Sequence, residues 1–519
     1  MTIHTDPGVY IEEFSSGVHT ITGVATSITA FVGWAPQGPT DRAVLVQSWS
    51  DYARQFGGLM SGALLGYAVN HFFKNGGSQA YIVRLVDITS ALTSTTPASA
   101  ARGFQPGNGF TATAANPGAW ANNVYGIRIV QNPSDSTRFS LLLVYTAPGN
   151  PEVTVENFPN LSISPSDPEL RTIDSVVNDP RTGSQFIRIS SVGLTQPTPN
   201  PPDSASPPYV LTGGKEGAVL APASPGFHTA LNANGTGTGG VRLLDDVSIF
   251  NLLCVPGETD ATTISQLQTY CHSHRAFYIA DCRQTDTFAS LQGGPTDLAG
   301  PDSINSAFYF PWVNAPDPLQ QGRISSYPPC GFVAGIYAAT DATRGVWKAP
   351  AGVHAGLSGA IGLTFTLTDL ENGTLNIQAI NCLRNFSVYG NVVWGARTLR
   401  GNDQVDSEWK YVPIRRLALF LESSLYDGTQ WVVFEPNDER LWSQIRLNVG
   451  AFMQGLFLQG AFRGSTPQKA YFVKCDGENN PPSSIAQGVV NILVGFAPLF
   501  PAEFVVIQIQ QKMASQGPA

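Results

Sequence analysis

The residues that could do chemistry fall into a few short sets. Cys271, His272 and His274, with Cys254 and Cys282 nearby, are of the types that hold zinc. Their spacing contains no C-x-x-C pair, and the thiols fall where a βαβ unit would place core residues. They read as small buried hydrophobes. Gly235, Gly237 and Gly240 match G-x-G-x-x-G in letters. A dinucleotide cradle needs a strand before such glycines and a helix after them, so that a helix N-terminus meets the pyrophosphate. Here a loop is expected before and a strand after, which fits a flexible loop better. Gly356-Leu357-Ser358-Gly359-Ala360 departs from the nucleophile-elbow pattern at its last position. The seven histidines are dispersed, and no G-x-x-x-x-G-K-[ST] loop occurs. Catalytic residues, cofactor-binding residues and metal ligands are all read as none, and no cofactor is expected.

The elements that would position any site are numerous. A chain of 519 residues implies two to four domains, and abundant Gly (52) and Pro (38) imply many turns. Residues 21–90 read as a compact α/β piece: a strand within 28–39, a helix capped by Ser48 or Ser50, a helix over 63–74 and a strand over 81–86. Residues 91–215 are rich in Ser, Thr, Pro, Asn and Gly, with strand-like islands at 124–130, 139–145 and 186–192. The stretch 196–208 holds six prolines and reads as a linker. Residues 216–345 return to α/β, with strand 247–255, helix 262–274 and strand 276–280 forming a βαβ unit, then a helix over 331–339. In the last third, Ile414, Leu417, Leu421 and Leu425 share one helical stripe. Leu441, Ile445, Val449, Phe452 and Leu456 share another, with Asn437 expected as its N-cap. Strands are expected at 471–474, 489–494 and 504–510.

Charged residues make up only 13% of the chain, and the net charge is −9. Residues 1–345 hold 16 basic and 25 acidic side chains, whereas residues 346–519 hold 13 of each. A neutral block suits pairing with copies of itself, and neither half offers the basic field that nucleic acid requires. The start of the chain has no basic and apolar leader pattern, and the apolar stretch 489–509 is broken by Asn491, Pro498, Pro501 and Glu503. Assembly in the cytoplasm and no membrane insertion are therefore expected.

The densest block lies in the last 174 residues: VWKAPAG (346–352), VVWGARTL (392–399), IRRL (414–417), VFEPNDERLW (433–442), GAFRGSTPQKAYFVKCD (460–476) and PAEFVVIQIQQ (501–511), with DPGVYIEE (6–13) near the start. In this order the set resembles the contractile tail sheath family of phage tails and phage-tail-like injection systems. The match covers residues 1–90 loosely and 330–519 well.

The resemblance implies an α/β (α+β) multidomain protein, its sheath core built from N- and C-terminal segments with inserted β-rich and α/β outer domains. The implied division is an N-terminal arm (1–20), a first core segment (21–90), a β-rich inserted domain (91–215), an α/β middle domain (216–345), a second core segment (346–500) and a C-terminal arm (501–519). It implies a homo-oligomer of stacked hexameric rings in a helical sheath, with an inner tube protein, baseplate and tail terminator or cap proteins as partners. Such a particle is a phage tail or tail-like assembly, released by lysis where it leaves the cell. Carried over, the arm strands that link subunits are Val9, Tyr10 and Ile11, and Val505, Ile507 and Ile509. Glu422, Asp427, Glu439 and Arg440 are candidate tube-facing positions on two core helices. The rival readings are a surface-binding module in the β-rich insertion and a nucleotide-binding enzyme on the middle α/β domain.

Overall fold

The computed structural model describes residues 19–86, 100–104, 110–147, 149–191, 207–233, 235 and 238–504. The chain divides into two compact units. One gathers residues 1–24, 344–349 and 413–519; the other comprises 25–343 and 350–412.

The larger unit is organised by an eight-stranded sheet. Its order is Gly390–Val393, Ile380–Phe386, Ser306–Phe310, Phe277–Asp281, Leu252–Cys254, Thr29–Trp34, Ala80–Leu85 and Val44–Val46. The six inner strands run parallel, and the strand at each edge is antiparallel to its neighbour. A parallel sheet with helices on both faces buries every residue of its central strands, and Thr29–Trp34 and Phe277–Asp281 are buried throughout. The helix Ala261–Ser273 joins Leu252–Cys254 to Phe277–Asp281, as its apolar spacing anticipates, and Asp260 caps it by accepting from Thr263 N. Ser48 caps the helix Trp49–Phe56.

The segment 100–212 builds its own core within this unit. A four-stranded sheet (Tyr209–Val210, Tyr125–Gln131, Phe139–Tyr145, Val153–Leu161) and a three-stranded one (Ala101–Phe104, Phe110–Ala114, Ile187–Ser191) enclose Ile127, Ile129, Leu141, Leu143 and Ile187. Its entry and exit strands touch: Ala101 N donates to Thr212 O at 2.8 Å, and Thr212 N returns to Ala101 O at 3.2 Å.

The glycine triplet differs from expectation. Helix Pro225–Leu231 precedes it, and a 3-10 turn over Gly240–Asp246 follows in place of a strand. Gly240 has φ +57°, and a Cβ there would lie 2.2 Å from Leu231 O, so that glycine closes a turn. Gly237 lies outside the described residues. All six cysteines are buried and free. Among the described residues, no group of three or more His, Cys, Asp or Glu side chains is arranged to hold a metal.

Candidate inter-subunit surface

The smaller unit is assembled from both ends of the chain. Its two long helices, Val412–Gly428 and Glu439–Leu458, bury the stripes read from the sequence: Leu417 and Leu421 on the first, Leu441, Ile445, Val449 and Leu456 on the second. Met453 is fully buried beside them, and Phe452 packs at the margin against Phe420. The N-cap of the second helix is Asp438, one residue later than expected. Its backbone is extended, and its carboxylate accepts from Arg440 N and Leu441 N. Asn437 is occupied elsewhere: its amide donates to Val489 O, and its oxygen accepts from the Trp442 indole at 2.8 Å.

The N-terminal segment is woven into this helix pair. His19 stacks on Trp431 with ring centroids 4.1 Å apart, and Val24 N donates to Ser424 Oγ. Ile21 enters the core against Gly428, where a Cβ would meet it at 2.6 Å.

Beside the helices lies a two-stranded antiparallel sheet, Tyr471–Lys474 with Leu493–Phe496. The second strand starts later than the expected 489–494. Asn491 N is held by Asn480 Oδ1, and its carbonyl accepts from the Asn479 and Asn480 amides, so side chains take the bonds a ladder would use. A two-stranded ribbon is marginal in water by itself. Among the described residues this ribbon has no third strand, and the Lys474 carbonyl accepts from the Asn479 amide at 3.1 Å. Phe472 and Leu493 are both exposed on it. Cys475, at its end, is buried, and burial pushes its thiol up, away from a reactive thiolate.

Phe434, in the loop between the two helices, is fully exposed and holds φ +70°. Left-handed backbone costs a residue with a Cβ about 1–2 kcal/mol, and an exposed ring adds nothing inside the subunit. Val433 and Tyr426 are exposed as well.

All four candidate tube-facing side chains lie on the helix surfaces and are exposed. Glu422 pairs with Arg415 at 3.3 Å and Glu439 with Arg446 at 2.6 Å. Val9, Tyr10, Ile11, Val505, Ile507 and Ile509 lie outside the described residues. Sequence reasoning placed the strand 471–474 but missed its pairing and the exposure of Phe434. An exposed Phe has the same letter as a core Phe, and strand pairing partners have no local signature.

Residues 404–512 match the phage tail sheath C-terminal domain. The chain is 29% identical over 159 residues to the tail sheath protein of Vibrio phage KVP40, covering 30% of this chain and 22% of that protein. It is 26% identical over 284 residues to a putative prophage major tail sheath protein of Pseudomonas aeruginosa (strain UCBPP-PA14), covering 53% of this chain and 69% of that protein. The aligned region thus spans under a quarter of the phage relatives' length. In fold, the chain is similar to the anti-feeding prophage helical sheath in its contracted state (TM-score 0.59, 23% identity, 98% of this chain and 100% of that one). It is also similar to the PVC sheath complex of an extracellular contractile injection system, contracted (TM-score 0.58, 23% identity, 99% of each). Residues 404–512 match the phage tail sheath C-terminal domain, and the chain as a whole is similar in fold to contractile sheath proteins.

Proposed function

We propose that this chain is the structural subunit of a contractile sheath. It polymerises as stacked hexameric rings around an inner tube, meets a baseplate at one end and a terminator at the other, and contracts from a metastable extended lattice. The observations that carry this reading are the ribbon Tyr471–Lys474/Leu493–Phe496, which has no third strand among the described residues, and the exposed Phe434. A neighbour's arm adding a strand would pair with an edge of the ribbon and lie against its exposed Phe472 or Leu493. Val505, Ile507 and Ile509, or Val9, Tyr10 and Ile11, have the alternation such a strand requires. Glu422, Asp427, Glu439 and Arg440 supply a polar helix surface for the tube. The free energy of contraction is a difference in packing between two lattices held behind a kinetic barrier, so neither a nucleotide nor a metal is needed.

The rival enzyme reading is weakened by the ends of the middle strands. Asp281, the last residue of its strand, accepts from Gly257 N at 3.0 Å and Cys330 N at 2.8 Å, and Glu258 accepts from Thr259 N and Asp260 N at 2.8 Å each. The protein's own carboxylates occupy N–H groups that a phosphate would otherwise use.

The test is electron microscopy of the purified chain without nucleotide and with chelator. Long hollow cylinders are expected; compact particles, or assembly that needs ATP, would refute the reading. Ile507→Pro removes one ladder donor and should give a folded subunit that forms no tubes. Normal tubes from that variant would remove the C-terminal arm from the mechanism.

A further inference from the structure

Within the larger unit, the β-rich insertion and the α/β sheet enclose a cleft of about 360 Å³, within the range of small-ligand sites. Arg42, Arg54, Arg181, Arg188, Trp120 and Asp179 are among its lining residues. Four guanidinium groups to one carboxylate is the reverse of the balance over residues 1–345, where acidic side chains outnumber basic ones.

Both walls are fixed before any ligand arrives. On the sheet side, the buried Arg84 donates to Ala35 O at 2.8 Å, Pro36 O at 2.9 Å and Gly38 O at 2.7 Å, clamping the loop that forms one wall. On the insertion side, Asp179 Oδ1 accepts from Arg181 N at 2.9 Å and from Thr182 N at 2.7 Å, locking the turn that carries Arg181. Arg188 is tied to Ser184 O at 2.6 Å and Ile187 O at 2.8 Å. The walls meet closely: a Cβ on Gly118 would lie 2.7 Å from Pro36 O. Arg42 and Arg54 have carboxylate partners in Asp41 and Asp51, both pairs at the surface. Arg181 and Arg188 have no carboxylate partner among the described residues.

The cleft thus offers two guanidinium groups without a carboxylate partner among the described residues, an indole whose ring packs against Tyr125 and Phe186, and the amide of Gln185, while the Glu156 carboxylate accepts from Ser184 Oγ at 2.5 Å and Gln185 N at 2.9 Å at the same wall. Guanidinium groups recognise a carboxylate bidentately, aromatic rings cover the apolar face of a sugar, and amides bond to hydroxyl groups. The geometry points to a binding site for an acidic sugar, a pyranose ring bearing a carboxylate, held by Arg181 and Arg188 with its ring beside Trp120. This site sits outside the sheath C-terminal domain and does not rest on the sheath reading.

The experiment is calorimetric titration of the full chain, as assembled or soluble material, with D-glucuronate, D-glucose, acetate and inorganic phosphate. Saturable glucuronate binding in the millimolar range is expected, with glucose and acetate each at least about tenfold weaker. Arg181 is exposed, so Arg181→Ala should keep the wild-type unfolding temperature while weakening glucuronate at least about tenfold. Tighter binding of a glucuronate-ended oligosaccharide would identify a polymer end as the natural source; equal affinity would identify a free sugar acid. Phosphate or acetate binding as well as glucuronate would overturn the sugar assignment. So would no saturation by about 10 mM, or an Arg181→Ala protein that binds like wild type.

Discussion

The backbone N–H of His19 donates to Asn448 Oδ1 at 3.2 Å, joining residues 429 positions apart in the chain. Asn448 is buried on the helix Glu439–Leu458, and among the described residues its amide nitrogen has no partner, so its side chain is held through this acceptor. Asn448→Ala leaves a half-buried donor unmet and should cost about 1–3 kcal/mol. Chemical denaturation measures that loss. Hydrogen exchange at His19 should accelerate more than exchange in the eight-stranded sheet.

Phe434 separates stability from assembly. Phe434→Gly relieves left-handed backbone strain and removes no buried contact, so the subunit should be as stable as wild type or up to about 1 kcal/mol more so. Tube formation, followed by sedimentation, should nevertheless weaken. A variant that polymerises normally would show that the exposed ring is not a lattice contact.

Asp281 gives a signed pH dependence. Burial pushes its carboxyl up to about 6, against the lowering effect of hydrogen bonds from Gly257 N and Cys330 N. In the unfolded chain it titrates near 3.9. The folded state therefore binds the extra proton between those values. The associated stability is fully present below the lower value and is lost as pH rises through about 6. Measured against Asp281→Asn, wild-type stability should rise by roughly 1–3 kcal/mol from pH 7 to pH 4. A flat difference across that range would show that the carboxyl does not titrate there.

The insertion should be removable. Its entry and exit strands are bonded to each other at Ala101 and Thr212, and its core residues are drawn from within the segment. Replacing residues 101–212 by a short Gly/Ser bridge should leave a folded chain that still forms tubes, checked by circular dichroism and microscopy. A folded but monomeric product would place lattice contacts in the insertion.

Much of the fold was legible wherever one local signal was sufficient. The 4, 4, 3, 4 spacing from Leu441 to Leu456 gave the long helix, and the strands 125–131 and 139–145 fell where alternation put them. Competing bonds obscured the rest. Asn437 has capping chemistry but is used by Val489 and Trp442, so Asp438 takes the cap. The expected strand 247–255 shrinks to Leu252–Cys254, and only those residues and their immediate neighbours are bonded into the sheet. The sheet order places Thr29–Trp34 between Ala80–Leu85 and Leu252–Cys254, a non-local choice that no window of sequence encodes. The cleft was invisible for the same reason: Arg42 and Arg181 are brought together only by tertiary packing.

The composition of the smaller unit also sets an order of events during synthesis. Residues 413–504 leave the ribosome after the whole of 25–412, so the eight-stranded sheet can close while the smaller unit still lacks both long helices and the ribbon. His19 and Ile21, made early, must wait for partners translated several hundred residues later. On the proposed sheath reading, a product terminated before residue 413 would have no ribbon with which to join a growing polymer.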